Sequence, residues 1–214
     1  MTNQRIPTLA VSTPRKPEVV IHSNDAQIQS QTADIFYEAG DYFEAMKSYQ
    51  RAIEIDPNSG NYEKWVESLE KLDKNTKHKA IENLEKRLAS KPEYVHAYFS
   101  WGLALHSRKN YAEAIEKYQK AAELKSDYVR AYDGWGLALY DQTKYLEAIE
   151  QYRKATEVQP DDAFAYNGWG DALYAEQKCA EAIEKYQKAI GIDPNSGNYE
   201  RWVECLDKVD KNTK

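Results

Sequence analysis

A nine-residue phrase returns through this chain at one fixed interval, and that interval limits the possible folds more than any other feature. Ala97-Tyr98-Phe99-Ser100-Trp101-Gly102-Leu103-Ala104-Leu105 comes back 34 residues later at 131–139 and again at 165–173. Looser copies stand at 61–69 and 198–206. All five tryptophans, Trp65, Trp101, Trp135, Trp169 and Trp202, occupy one place in the phrase. A unit of this length is a single supersecondary element that cannot bury its own apolar face, so stability has to come from stacking units on one another. An elongated array is expected, not a globule with one centre.

Composition sets the chemical class. Apolar residues make up 42% of the chain and charged residues 30%, which suits a soluble helical protein. The net charge of −6 argues against nucleic acid, which calls for a basic face. No run of 18 apolar residues offers a membrane span, and the N-terminus lacks the layout of a secretory signal. The two cysteines, Cys179 and Cys205, make no disulfide framework, so a cytoplasmic setting is expected. Residues 1–25 read as a disordered leader: Pro7, Pro14 and Pro17 interrupt any helix, and Arg5, Arg15 and Lys16 make it mildly basic. A targeting or partner-binding peptide is the other reading of that leader.

From about residue 26 onward apolar residues fall at helical spacing. Ala39-Gly40-Asp41 supplies a turn and Asp56 through Gly60 another. Set the motif Tyr at position 4 and the Trp at position 7. Position 8 is then Gly102, Gly136 and Gly170, and position 20 is Ala114, Ala148 and Ala182. Position 24 is Tyr118, Tyr152 and Tyr186, and position 27 is Ala121, Ala155 and Ala189. Ala33, Ala45, Tyr49 and Ala52 continue the series upstream. This pattern resembles the tetratricopeptide repeat family, whose unit is a helix–turn–helix of about 34 residues. The resemblance covers about residues 26–214. It implies an all-α superhelical solenoid with repeats at about 26–60, 61–94, 95–128, 129–162 and 163–196 and a capping helix at 197–214. Small residues at positions 8 and 20 let the two helices of a repeat approach closely.

The second repeat departs from the pattern. Val66 replaces the position-8 glycine, Arg87 replaces the position-27 alanine, and the segment 71–77 carries two extra residues read as turn. Its helices are expected to sit further apart and to change the pitch of the array. Residues 193–214 repeat 56–77 almost word for word, 137 residues on. The second occurrence has no second helix after it, so it reads as a cap that shields the last repeat through Tyr199, Trp202, Val203 and Leu206.

No catalytic, cofactor or metal set stands out. His96 and His106 are about 15 Å apart along one helix. Asp56, Asn58, Gly60 and Glu67 only faintly resemble a calcium loop, because the glycine falls at the wrong place. The chain is expected to be no enzyme and to need no cofactor. In the resembled family, positions 2, 5, 9, 12 and 13 of the first helix line a concave peptide-binding groove. That stripe carries Asp34, Glu38, Glu63, Glu67, Glu70, Asp133, Asp141, Asp171, Glu200, Glu204 and Asp207 against Lys71, Arg130 and Lys208. Among the acids lie Phe99, Leu103, Leu137, Tyr140, Phe164 and Tyr174, expected to be exposed. Members that clamp the acidic C-terminus of heat-shock proteins use Lys and Asn here. Only Arg130 and Asn167 fit that role, so a protein or peptide partner carrying basic and apolar residues is expected instead. Self-association end to end, or service as the regulatory module of an enzyme encoded elsewhere, are the alternatives.

Overall fold

The computed structural model describes residues 25–57, 59–88 and 94–212. The expected leader falls almost wholly outside them. Eleven α-helices make up the described chain: α1 Ala26–Glu38, α2 Tyr42–Ile55, α3 Tyr62–Glu70, α4 Lys74–Leu88, α5 Val95–Ser107, α6 Tyr111–Leu124, α7 Val129–Asp141, α8 Tyr145–Val158, α9 Ala163–Ala175, α10 Cys179–Ile192 and α11 Tyr199–Asn212. Successive helices pair antiparallel, and each pair stacks on the next to form a solenoid. The odd-numbered helices from α3 to α11 also touch one another directly, forming an inner layer beneath the even-numbered ones.

The turn inside each regular pair is the same. Its position-15 residue takes a left-handed backbone at Gly40, Lys109, Thr143 and Gln177, with φ between 61° and 77°. Only the first copy uses glycine, the residue that adopts this conformation without steric cost. The N–H of the residue after it returns to a carbonyl of the last helical turn, as Asn110 does to Leu105 and Lys144 to Leu139, closing the helix end.

The core is built on position 24. Tyr49, Tyr118, Tyr152 and Tyr186 are fully buried. Tyr118 lies between Gly102 of its own repeat and Gly134 of the next; Tyr152 lies likewise between Gly136 and Gly168. A side chain on any of these glycines would enter the ring. At positions 3 and 10, Ala97, Ala131, Ala138, Ala165 and Ala172 have no exposed surface.

The second repeat is loose, as its sequence implies. α4 makes few close approaches to α3, whereas every other pair packs along its length. The expected turn at 71–77 is shorter than its sequence suggests. Asp73 accepts hydrogen bonds from the N–H groups of Asn75 and Thr76 and caps α4 at Lys74, so the extra residues become an added helical turn. In place of tight pair packing, α3 and α5 meet through Trp65 and Trp101, edge to face at 5.0 Å.

Candidate functional site

The odd-numbered helices turn one stripe of each toward the inner face, and there most of the acids are tied to neighbouring side chains, leaving Glu38, Glu63, Glu200 and Asp207 without an ion pair among the described residues. Asp34 accepts hydrogen bonds from the Tyr49 hydroxyl and from Lys64 Nζ at 2.7 Å. Against the burial that would raise it, these bonds hold its carboxyl below the usual range. The same trio recurs 137 residues on, where Asp171 accepts from Tyr186 and lies 2.9 Å from Arg201. Asn198 adds a bond to Asp171, and its backbone N–H bonds Asn167 Oδ1 at 2.9 Å. Elsewhere Glu70 pairs with Arg108, Asp141 Oδ2 lies 2.9 Å from His106 Nε2, and Glu204 pairs with Lys208. Tyr37 donates to Glu67 and is pushed up to about 12, chiefly by that bond.

This corrects the expected balance of charge. His106 stands on the stripe at position 12, but Lys64 and Arg201 come from position 6 and Arg108 from the turn after α5, all off it. A count along the stripe of one helix misses them, because each cation reaches the acid of a neighbouring repeat. Their signal in the sequence was a basic residue at position 6 in both near-copies, where the regular repeats carry Ser100, Gly134 and Gly168.

Two expected groove residues are placed differently. Phe99 is only 7% exposed. The Arg130 guanidinium lies 4.7 Å from its ring centre, and Tyr128 packs against it edge-on. Asp133 is half-buried, with its Oδ1 sealed from solvent and unbonded. Burial first, then the neighbouring Asp162 carboxyl, pushes its pKa up to about 8. Asp162 is fixed where it is because it caps α9 through the Ala165 N–H. Asp133 is therefore a joint between two repeats, not a solvated groove acid.

The remaining expected residues stay accessible. Leu103 and Phe164 are exposed, Phe164 at 51%, and Leu137, Tyr140 and Tyr174 are half-buried. Arg201 Nη1 donates to the Tyr140 hydroxyl, and Tyr174 donates to Glu204 beneath Lys208. The cap thus occupies the polar groups at the C-terminal end of the inner face. Between α3 and α5 the face opens into a hollow of about 410 Å³ lined by Tyr62, Glu63, Ser100, Leu103 and His106.

Cys205 is buried and Cys179 half-buried, both as free thiols; burial, then the hydrogen bond with Cys179, pushes Cys205 up to about 12. The described residues bring together no group of three or more potential metal ligands. No helix among them is long and apolar enough to cross a membrane.

Comparison with known families agrees with the repeat geometry. One tetratricopeptide repeat model matches residues 134–197 and a second TPR model matches 33–62 and 102–142, together more than half of the chain. The chain belongs to the tetratricopeptide repeat family. Solved TPR structures share the solenoid. One is YrrB, described as a TPR protein with an unusual peptide-binding site, at 20% identity and a TM-score of 0.52, covering 86% of this chain and 93% of that one. MamA is 26% identical with a TM-score of 0.50, covering 82% and 95%. The first TPR of Spaghetti (RPAP3), bound to the HSP90 peptide SRMEEVD, is 21% identical with a TM-score of 0.52, covering 58% and 97%. No curated protein sequence matches the chain.

Proposed function

We propose that this TPR protein is an interaction scaffold whose inner face holds a partner segment carrying Lys or Arg beside apolar residues. The observation that carries this reading is the apolar series Leu103, Leu137 and Phe164 left accessible on α5, α7 and α9, where a monomer has no packing use for it. Glu63 beside Leu103, and Asp141 beside Tyr140, give that series an acidic border. The partner's apolar side chains would supply contact area, and its cations would set orientation and encounter rate. Acidic peptides of the SRMEEVD type fit poorly, because of the two residues suited to a carboxylate clamp, Arg130 packs over the Phe99 ring and Asn167 already accepts from the Asn198 N–H. The test is a peptide array probed with the whole chain, followed by titration of the best binder at two salt concentrations. Basic and apolar sequences should be selected, affinity should fall with salt, and Leu103→Asp with Phe164→Asp should weaken binding by about tenfold or more, on the order of 1.4 kcal/mol. Selection of acidic peptides, or full binding by the double variant with its helical spectrum intact, would overturn the proposal.

A further inference from the structure

The looseness of the second repeat creates a second surface, away from the inner face. α4 stands off from α2, and a cleft of about 640 Å³ lies between the two outer helices. Phe43, Met46 and Ala80 contribute its apolar lining, with Arg51 on one wall and Lys79 on the other. Neither cation makes an ion pair among the described residues, whereas Arg87 closes one end by pairing with Glu54. α4 itself is basic: Lys74, Lys77, Lys79, Lys86 and Arg87 face only Glu82 and Glu85, in a chain whose net charge is −6.

At the other end of the molecule, α11 presents a surface of matching character. Trp202 and Cys205 turn inward onto the α9–α10 pair, but Tyr199, Val203 and Leu206 are exposed, Val203 at 51%. The equivalent residues of α3, in the near-copy of the same segment, are Tyr62, Val66 and Leu69, and all three are buried. The chain therefore carries one apolar helix face twice, covered once and bare once. Glu200 and Asp207 flank Val203 at i−3 and i+4, and neither makes an ion pair among the described residues.

We propose that α11 of one copy docks in the α2–α4 cleft of a second copy. Tyr199, Val203 and Leu206 meet the Phe43–Met46–Ala80 floor, and Glu200 and Asp207 meet Arg51 and Lys79. The shorter surface fits within the longer: the apolar stripe of α11 runs about 10 Å, and the lining of α4 from Thr76 to Arg87 about 16 Å. The two surfaces are different patches on opposite ends of the array, so the contact is heterologous and repeats from copy to copy. Glu200 and Asp207 belong to the stripe of α11, so only that end of the inner face is engaged and Leu103, Leu137 and Phe164 stay free. One helix in one cleft is at the small end of specific interfaces, so association is expected to be weak and read at high protein concentration.

Sedimentation of the full chain over a concentration series tests this. The wild type should gain mass with concentration, while Val203→Glu, which spoils the face, and Arg51→Glu with Lys79→Glu, which spoils the cleft, should each stay monomeric. Mixed, the two variants should form a 1:1 complex and nothing larger, because each supplies the surface that the other lacks. If Val203→Glu loses helical signal, Asp207→Lys serves in its place. A wild type that stays monomeric throughout would overturn the proposal. So would a cleft variant that associates like the wild type, which would point to α11 pairing with itself, or a mixture that stays monomeric.

Discussion

Tyr152 shows how closely one side chain ties two repeats together. Its ring is fully buried between Gly136 and Gly168, and a Cβ on Gly168 would fall 2.5 Å from Cζ. Gly168→Ala should overpack that site at a cost of about 1–3 kcal/mol, more than the roughly 1 kcal/mol that alanine gains in helix propensity. Gly191→Ala is the control: nothing lies within 4 Å, so it should stabilise by about 0.5–1 kcal/mol. Urea melts of the two variants should shift in opposite directions, and equal shifts would refute the clamp. Asp133 is the residue to test by pH. Its folded pKa is raised to about 8 from an ordinary 3.8, so the folded chain holds a proton that the unfolded chain has released. The stability attached to it is therefore highest below about pH 4, falls as pH rises, and levels off above about pH 8. Asp133→Asn removes that slope, and its melting temperature should exceed the wild type's by more at pH 9 than at pH 5. An equal difference at both would show that Asp133 ionises freely. The position-8 glycines were legible in the sequence because they recur on one helix face. The burial of Phe99 and Asp133 was not, because Arg130, Tyr128 and Asp162 cover them from the following repeat or its lead-in, and a helical wheel describes one helix at a time.

One stretch of sequence takes two forms at the level of the element. After α3, Lys71-Leu72-Asp73 breaks the helix and Asp73 caps α4, while the matching Lys208-Val209-Asp210 continues α11 without interruption. The residues hardly differ, so the difference lies in their tertiary surroundings: α4 is held in place from both sides, through Arg87 to Glu54 of α2 and through Glu85 to Lys117 of α6. Local pattern located the helices of the regular repeats, since their turns carry their own closing bonds. It misjudged 71–77 because no Gly or Pro there forces the turn, and a capping aspartate decides the outcome. The cap was also read in part only. Trp202 and Cys205 cover the last pair, while Tyr199, Val203 and Leu206, expected to share that work, face outward. Truncation after Ser196 should therefore expose Leu173, Ala182 and Tyr186 and lower the melting temperature with aggregation. A truncated chain as stable and as dispersed as the full one would show that α11 caps nothing.

In a stacked array, stability is close to a sum of units and the interfaces between them, so the weakest interface decides whether the molecule melts as one body. Here that interface is the second repeat. α4 adds little contact to α3, and Arg87–Glu54 and Lys117–Glu85 are ion pairs that tether it from its two sides. Continuity between α1–α3 and α5–α11 then rests largely on α3 against α5, with Trp65 and Trp101 both buried at its centre. Trp65→Ala removes the larger part of that contact and should cost about 3–5 kcal/mol. The loss falls on the coupling between the two groups of helices, not on the packing inside α5–α11. The expected result is that one unfolding transition in urea becomes two, with the α5–α11 group retaining the wild-type midpoint and each step showing a smaller m-value. Hydrogen exchange should report the same division, with α4 less protected than α6 or α8 even in the wild type. A single transition of unchanged m-value at a lower midpoint would mean that the array is cooperative throughout and that the α3–α5 contact is one interface among equals.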